Sequence, residues 1–163
     1  MAKRKSLILS ILGLVIIVVV VLVIVLVARH NNKTTNNNAP LTYAQTNVAI
    51  QQIETNWKNF FAYSTSLQGR ENLLQNGSQF AQVIQGEFTA LASQKSSASF
   101  NSINLTNNKT ANVVYTINLN GQPVLNEQNG QALFINNSWK VSDSTLCGLI
   151  SLSGSKPAVC KSY

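Results

Sequence analysis

Residues 111–121 read ANVVYTINLNG, and this stretch decides the fold class. Its apolar side chains occupy every second position, at Ala111, Val113, Tyr115, Ile117 and Leu119. Residues two apart share one face of a strand, so the alternation predicts a half-buried β-strand. The dipeptide Asn120-Gly121 follows directly and is typical of a two-residue hairpin between antiparallel strands.

The chain around this hairpin predicts a meander. The alternating period begins near residue 97. After the hairpin, Pro123 lacks a backbone donor, so residues 123–126 form either an edge strand or a loop. Further along, 128–130 (Gln-Asn-Gly) predicts a turn into a strand at 131–135. Asn136-Asn137 predicts another turn before a strand at 138–144, with Trp139 and Val141 on one face.

The residues before the meander predict helices. Thr42 and Gln45 have the spacing of a capping box, which marks a helix start. Apolar residues then recur at helical spacing, at Tyr43, Ile50, Ile53, Trp57, Phe60 and Phe61. Residues 70–76 predict a short helix that Gly77 ends in a left-handed conformation. A second amphipathic helix follows, with Phe80, Val83, Ile84, Phe88 and Leu91 on its apolar side.

Helices followed by a meander indicate an α+β domain. Each apolar helix stripe and each half-buried strand needs a partner surface. We therefore predict helices packed on one face of a curved antiparallel sheet, over residues 41–163.

Residues 7–28 form an apolar run that only Ser10 and Gly13 interrupt, LILSILGLVIIVVVVLVIVLVA. As a helix it would be about 33 Å long, enough to cross a hydrocarbon core of about 30 Å. The run is longer than a cleavable signal, and no small residue stands two before Ala28. We favour an uncleaved signal-anchor. The alternative is cleavage near Ala28, which would release the domain.

The cations around the run predict its orientation. Lys3, Arg4 and Lys5 outweigh Arg29 and Lys33, which favours a cytoplasmic N-terminus. Residues 1–6 are then a cytoplasmic tail, and 29–40 are an Asn-rich linker with no apolar face to bury. The predicted location is the plasma membrane, crossed once, with residues 41–163 outside.

The net charge of +7 does not indicate nucleic-acid binding. From residue 41 onward seven Lys or Arg stand against five Asp or Glu, a net charge of +2, and they are scattered singly. Binding to phosphates needs clustered cations. His30, the single histidine, lies in the linker without a second ligand, so we predict no metal site, no cofactor and no catalytic histidine.

Cys147 and Cys160 are the only cysteines. In an oxidising compartment they predict a disulfide. A reactive thiol pair and a zinc site are weaker alternatives, because the spacing is far from Cys-x-x-Cys and no histidine is near.

A family resemblance lies between residues 53 and 160. The matching residues are Leu73-Leu74-Gln75-Asn76-Gly77 with Phe80, Val114-Tyr115-Thr116, Asn120-Gly121-Gln122-Pro123-Val124-Leu125, Gly130, Trp139-Lys140-Val141-Ser142, and Thr145-Leu146-Cys147 with Leu149, Leu152, Gly154, Pro157 and Cys160. They resemble the low-molecular-weight secreted antigen family of mycobacteria and related actinobacteria.

The resemblance implies a cystatin-like or nuclear-transport-factor-like cone, an extracytoplasmic setting and a Cys147–Cys160 disulfide. It implies no enzymatic activity. The family typically carries a cleaved signal, whereas this chain keeps an apolar run typical of an anchor.

Aromatic residues form the candidate site, because they would line or fill the interior of a cone. They are Trp57, Phe61, Phe80, Phe88, Tyr115, Phe134 and Trp139. A filled core is the commoner fate of such residues. We assign no catalytic residue, since Asp143 between two serines favours a turn or cap over a role beside Tyr115.

Two functions stay open. The preferred one is a membrane-anchored, non-enzymatic scaffold or accessory protein that contacts other envelope proteins. The alternative is a carrier or sensor that binds an apolar ligand such as a lipid inside the cone.

Overall fold

The computed structural model describes residues 40–163. The predicted cytoplasmic tail, membrane span and most of the linker therefore lie outside the described residues. Within 40–163, none of the helices combines the length and the hydropathy that a bilayer crossing requires.

The first helix, α1 (Tyr43–Phe61), begins at the predicted capping box. The Gln45 amide donates to Thr42 Oγ1 at 3.3 Å, and the Thr42 amide donates to Gln45 Oε1 at 2.9 Å. Ile53, Trp57, Phe60 and Phe61 are buried as predicted. Tyr43 is 83% exposed, so its assignment to the apolar stripe was wrong.

Two shorter helices follow, α2 (Leu67–Leu73) and α3 (Ala81–Ala92), with a 3-10 turn at Gly77–Phe80 between them. Helix α2 begins earlier than predicted because the Ser66 hydroxyl caps it, accepting from the Gly69 amide at 3.1 Å. Gly77 does not have a positive φ, so the predicted left-handed cap was wrong. Its small size matters instead, since a Cβ there would lie 1.9 Å from the Glu71 carbonyl oxygen.

Arg70 of α2 is buried, and its guanidinium donates hydrogen bonds to backbone carbonyls at the C-terminal end of α1. Its Nε donates to the Phe60 carbonyl at 3.0 Å and its Nη2 to the Ala62 carbonyl at 2.5 Å. Its Nη1 donates to the Thr65 carbonyl, and the guanidinium lies 4.2 Å from the centre of the Phe88 ring. Burial lowers the pKa of Arg70. Helix ends leave carbonyls unsatisfied, and one side chain supplies donors for this end.

Four antiparallel strands form the sheet in the order β1-β2-β3-β4. They span Ser97–Asn107, Thr110–Leu119, Gln122–Ile135 and Ser138–Val141. Asn120 and Gly121 both have positive φ, as the predicted hairpin turn requires, and Asn136 and Asn137 do too. The predicted α+β class is confirmed.

Strand β3 corrects the prediction of a turn at 128–130. The strand runs without a break through these residues, and its pairing with β2 shifts from Tyr115↔Gln128 to Ile117↔Leu125. Glu127 has a φ of 51° at this irregularity. An inserted residue therefore makes a bulge in one strand. Pro123 lies in the part of β3 that has no β4 partner, which supports the edge-strand option.

Strand β4 ends at Val141, and a helix that the sequence analysis missed follows. This helix, α4 (Asp143–Leu152), is capped by the Ser142 hydroxyl, which accepts from the Thr145 amide at 3.2 Å. Cys147 of α4 forms the predicted disulfide with Cys160, at a Cα–Cα distance of 5.5 Å.

Aromatic rings join α1 to the sheet. The Trp57 ring lies edge-on to Tyr115 of β2, with 4.8 Å between centroids, and Tyr115 stacks on Phe61 at 5.5 Å. The core therefore lies between α1 and the face of β2 that carries the alternating residues.

Candidate functional site

An apolar cavity of about 200 Å³ opens between α3, α4 and strands β2 and β3. We call it the α3–α4 pocket. Its apolar walls are Phe61, Phe88, Leu91, Ile117, Leu125, Leu146, Leu149 and Ile150. Its polar lining consists of Glu87, Ser96 and Ser153.

Helical spacing explains both walls of the pocket. Glu87, Phe88 and Leu91 lie on adjacent turns of α3, and Leu146, Leu149 and Ile150 on adjacent turns of α4. Residues three or four apart share one side of a helix. Phe61 forms the aromatic back of the cavity, where it packs on Tyr115.

The three polar groups differ in their partners. The Ser96 hydroxyl donates to the Phe61 carbonyl at 3.0 Å, and the Ser153 hydroxyl donates to the Ile150 carbonyl at 2.7 Å. Glu87 is half-buried and makes no ion pair or hydrogen bond among the residues of the described domain.

The seven aromatic residues that were predicted to line one cavity lie in three different places in the structure. Phe61 and Phe88 line the α3–α4 pocket. Phe134 and Trp139 line a second cavity of about 340 Å³, together with Leu41, Ala44 and Val48, which we call the α1 groove. Trp57, Phe80 and Tyr115 line neither cavity and are fully buried in the core.

Two polar atoms in that core lack a hydrogen-bond partner. They are Trp57 Nε1 and the Tyr115 hydroxyl. Gly130 allows their rings to approach the sheet, because a Cβ there would lie 2.5 Å from Trp57 Cη2 and 3.0 Å from Tyr115 Cε1. Burial raises the pKa of Tyr115 above its ordinary value, because the interior disfavours the phenolate.

The hydrogen bonds of Asp143 join α4 to other parts of the domain, so this residue has a structural role. Its fully buried carboxylate accepts from the Asn76 amide at 3.1 Å, from Asn76 Nδ2 at 2.6 Å and from the Tyr163 hydroxyl at 3.0 Å. The hydrogen bond to Asp143 raises the pKa of Tyr163. Since the Tyr115 hydroxyl has no partner, Tyr115 and Asp143 are not hydrogen-bonded to each other.

Metal ligation has no candidate in this part of the chain. Across residues 40–163, His, Cys, Asp and Glu do not gather in any group of three or more that could hold an ion. Glu87 and the α4 residues of the pocket were not among the predicted site residues. The signal that could have revealed α4 was Ser142 followed by Leu146, Leu149 and Ile150 at helical spacing.

A family model matches most of the described domain. Residues 45–157 match the family model described as low molecular weight antigen MTB12, C-terminal domain. No curated protein matches the chain.

Solved structures give distant likenesses. A domain of unknown function with a cystatin-like fold from Nostoc punctiforme has 11% identity and a TM-score of 0.39, covering 75% of this chain and 93% of that chain. An NTF-2 like protein of unknown function from Shewanella oneidensis has 11% identity and a TM-score of 0.35, covering 61% and 98%.

Proposed function

The chain belongs to the low molecular weight antigen MTB12 C-terminal domain family, and from this premise we propose that it is a membrane-tethered, non-enzymatic envelope protein that binds a small apolar ligand. The domain outside the membrane carries the ligand in the α3–α4 pocket. The anchor at residues 7–28 keeps this domain close to the lipid surface from which such a ligand would come.

One observation carries the proposal, namely the apolar pocket itself. An open pocket with apolar walls favours an apolar ligand, because binding removes the apolar surfaces of both from water. A volume of about 200 Å³ is equivalent to about seven water molecules at ~30 Å³ each. That space suits a short aliphatic chain or one end of a longer lipid chain.

The disulfide and the family support an extracytoplasmic location. Disulfides persist in oxidising compartments outside the cytosol, and the Cys147–Cys160 bond lies in the domain that would be exported. The excess of cations before residue 7 supports the proposed orientation.

The proposed membrane topology can be tested by the access of protease and of a thiol reagent to residues 40–163 in intact cells. We expect added protease to remove residues 40–163 from the outer face while a tag before residue 7 stays protected. A membrane-impermeant thiol reagent should label Cys147 and Cys160 only after reduction. A domain that is protected from protease, or labelled without reductant, would contradict the proposed topology.

Photolabelling tests ligand binding. The full chain in lipid nanodiscs is irradiated with a diazirine-bearing aliphatic alcohol, and labelled residues are mapped by mass spectrometry. We expect label on α3 and α4 that decreases at least about tenfold in Leu149→Trp, because the indole fills the pocket.

The matched control is Leu152→Trp on the same helix, where the side chain is 59% exposed and does not line the pocket. It should keep wild-type labelling. Equal labelling of the two variants, with both folded by circular dichroism, would rule out the α3–α4 pocket as the binding site.

A scaffold is the second candidate, and the exposed apolar surface beside the α1 groove favours it. Val48, which lines the groove, is 53% exposed, and Tyr43, which directly precedes the groove residue Ala44 in α1, is 83% exposed. Partner proteins that co-purify with wild type and Leu149→Trp but not with Val48→Lys would favour this function.

A further inference from the structure

We infer that the α3–α4 pocket selects an amphiphile whose polar end is a protonated amine. This inference rests on the proposed ligand binding and names the chemistry of the ligand. It follows from the hydrogen-bonding state of the polar groups in an otherwise apolar cavity.

Both serine hydroxyls in the pocket lining already donate their single hydrogen to a backbone carbonyl. A serine hydroxyl has one hydrogen to donate and two lone pairs to accept with. Ser96 donates to the Phe61 carbonyl and Ser153 to the Ile150 carbonyl. Each hydroxyl therefore offers only acceptor capacity to a ligand in the pocket.

Glu87 is also a hydrogen-bond acceptor, and its carboxylate is the one charged group in the pocket lining. An ionised carboxylate has no hydrogen to donate, and Glu87 has no ion-pair or hydrogen-bond partner among residues 40–163. The pocket lining contains no Lys, Arg or His. A ligand ammonium would supply this carboxylate with a charge-assisted hydrogen bond.

Selectivity follows from this arrangement. All three polar groups accept, so a ligand amine can donate to them, whereas a ligand carboxylate meets a like charge and no donor among these side chains. Leaving charged or polar groups unpaired is an effective way to reject a ligand. The pocket should therefore prefer an aliphatic amine to an alcohol, and an alcohol to a fatty acid of the same chain length.

The test compares three diazirine probes with one aliphatic chain and an amine, alcohol or carboxylate end. Each probe labels the full chain in phosphatidylcholine nanodiscs. The amount of label on wild type is divided by the amount that the same probe places on Leu149→Trp, whose pocket is filled, and this ratio corrects for differences in how the probes partition into lipid. We expect wild type to take the amine about tenfold better than the carboxylate, as an ion pair predicts.

Glu87→Gln should reduce this ratio to within about threefold, because the carboxamide carries no charge to pair with the amine or to repel the carboxylate. Glu127→Gln, at an exposed residue outside the pocket, should keep the wild-type ratio. Equal labelling of wild type by the amine and the carboxylate, or an equal loss in both variants, overturns this inference and leaves the proposed function standing. Absence of pocket labelling by all three probes overturns the proposed function and this inference together.

Discussion

Gly77→Ala is expected to destabilise the domain by at least about 3 kcal/mol, more than overpacking usually costs. The added Cβ would lie 1.9 Å from the carbonyl oxygen of Glu71 and 2.5 Å from its carbonyl carbon. Both atoms are backbone, so they cannot rotate away as the end of a side chain could. The connection between α2 and the 3-10 turn would have to shift, and with it the buried Phe80.

Gly86→Ala is the matched control, because Gly86 is exposed in α3 and a Cβ there meets nothing within 4 Å. It should stabilise the domain by up to about 1 kcal/mol through helix propensity. Urea unfolding followed by fluorescence measures both, since Trp57 and Trp139 are the two tryptophans and both are buried. Effects of the same sign and size would show that Gly77 is not held by this close approach.

Arg70→Met should cost about 3 to 5 kcal/mol, since each hydrogen bond to a charged group contributes about 1.5 to 3 kcal/mol. Methionine has an unbranched apolar side chain that can replace the methylene stem of Arg70. However, it removes the guanidinium donors of the Phe60, Ala62 and Thr65 carbonyls, of which the Ala62 carbonyl keeps the Thr65 amide, and it removes the cation from the Phe88 ring. We expect the end of α1 to loosen and the unfolding midpoint to fall.

The control for charge alone is Lys161→Met at an exposed residue, which should change stability by less than about 0.5 kcal/mol. Arg70→Lys should fall between the two, because an ammonium keeps the charge but loses the planar fork. If Arg70→Met unfolds at the same urea concentration as Lys161→Met, the three carbonyls find other donors.

The parts of the fold that could be predicted are those with local causes. Thr42 and Gln45 lie three residues apart and bond to each other, so their spacing was sufficient evidence for the start of α1. Asn120 and Gly121 adopt positive φ within their own turn. These features need no information about the rest of the chain.

The parts that were missed depend on distant residues. The bulge at Glu127 depends on β2, which pairs with β3 on both sides of the irregularity, whereas Gln128-Asn129-Gly130 taken alone has the composition of a turn. Arg70 is one cation among several in the sequence, and its role depends on the end of α1 lying nearby.

The candidate site shows the same division. Phe61 and Phe88 could be predicted as interior aromatics, but the other wall of the pocket belongs to α4, which the sequence analysis did not predict. Glu87 acquires its significance only where α3 faces α4 across the cavity.

The position of the disulfide sets an order on the maturation of the chain. Cys147 and Cys160 both follow strand β4, and 13 positions separate them. Since synthesis proceeds from the N-terminus, helices α1 to α3 and the four strands of residues 40–163 are all synthesised before Cys160 is added to the chain. The disulfide therefore cannot form until every residue of the sheet has been synthesised, and an oxidised pair marks a polypeptide whose translation has already passed Cys160.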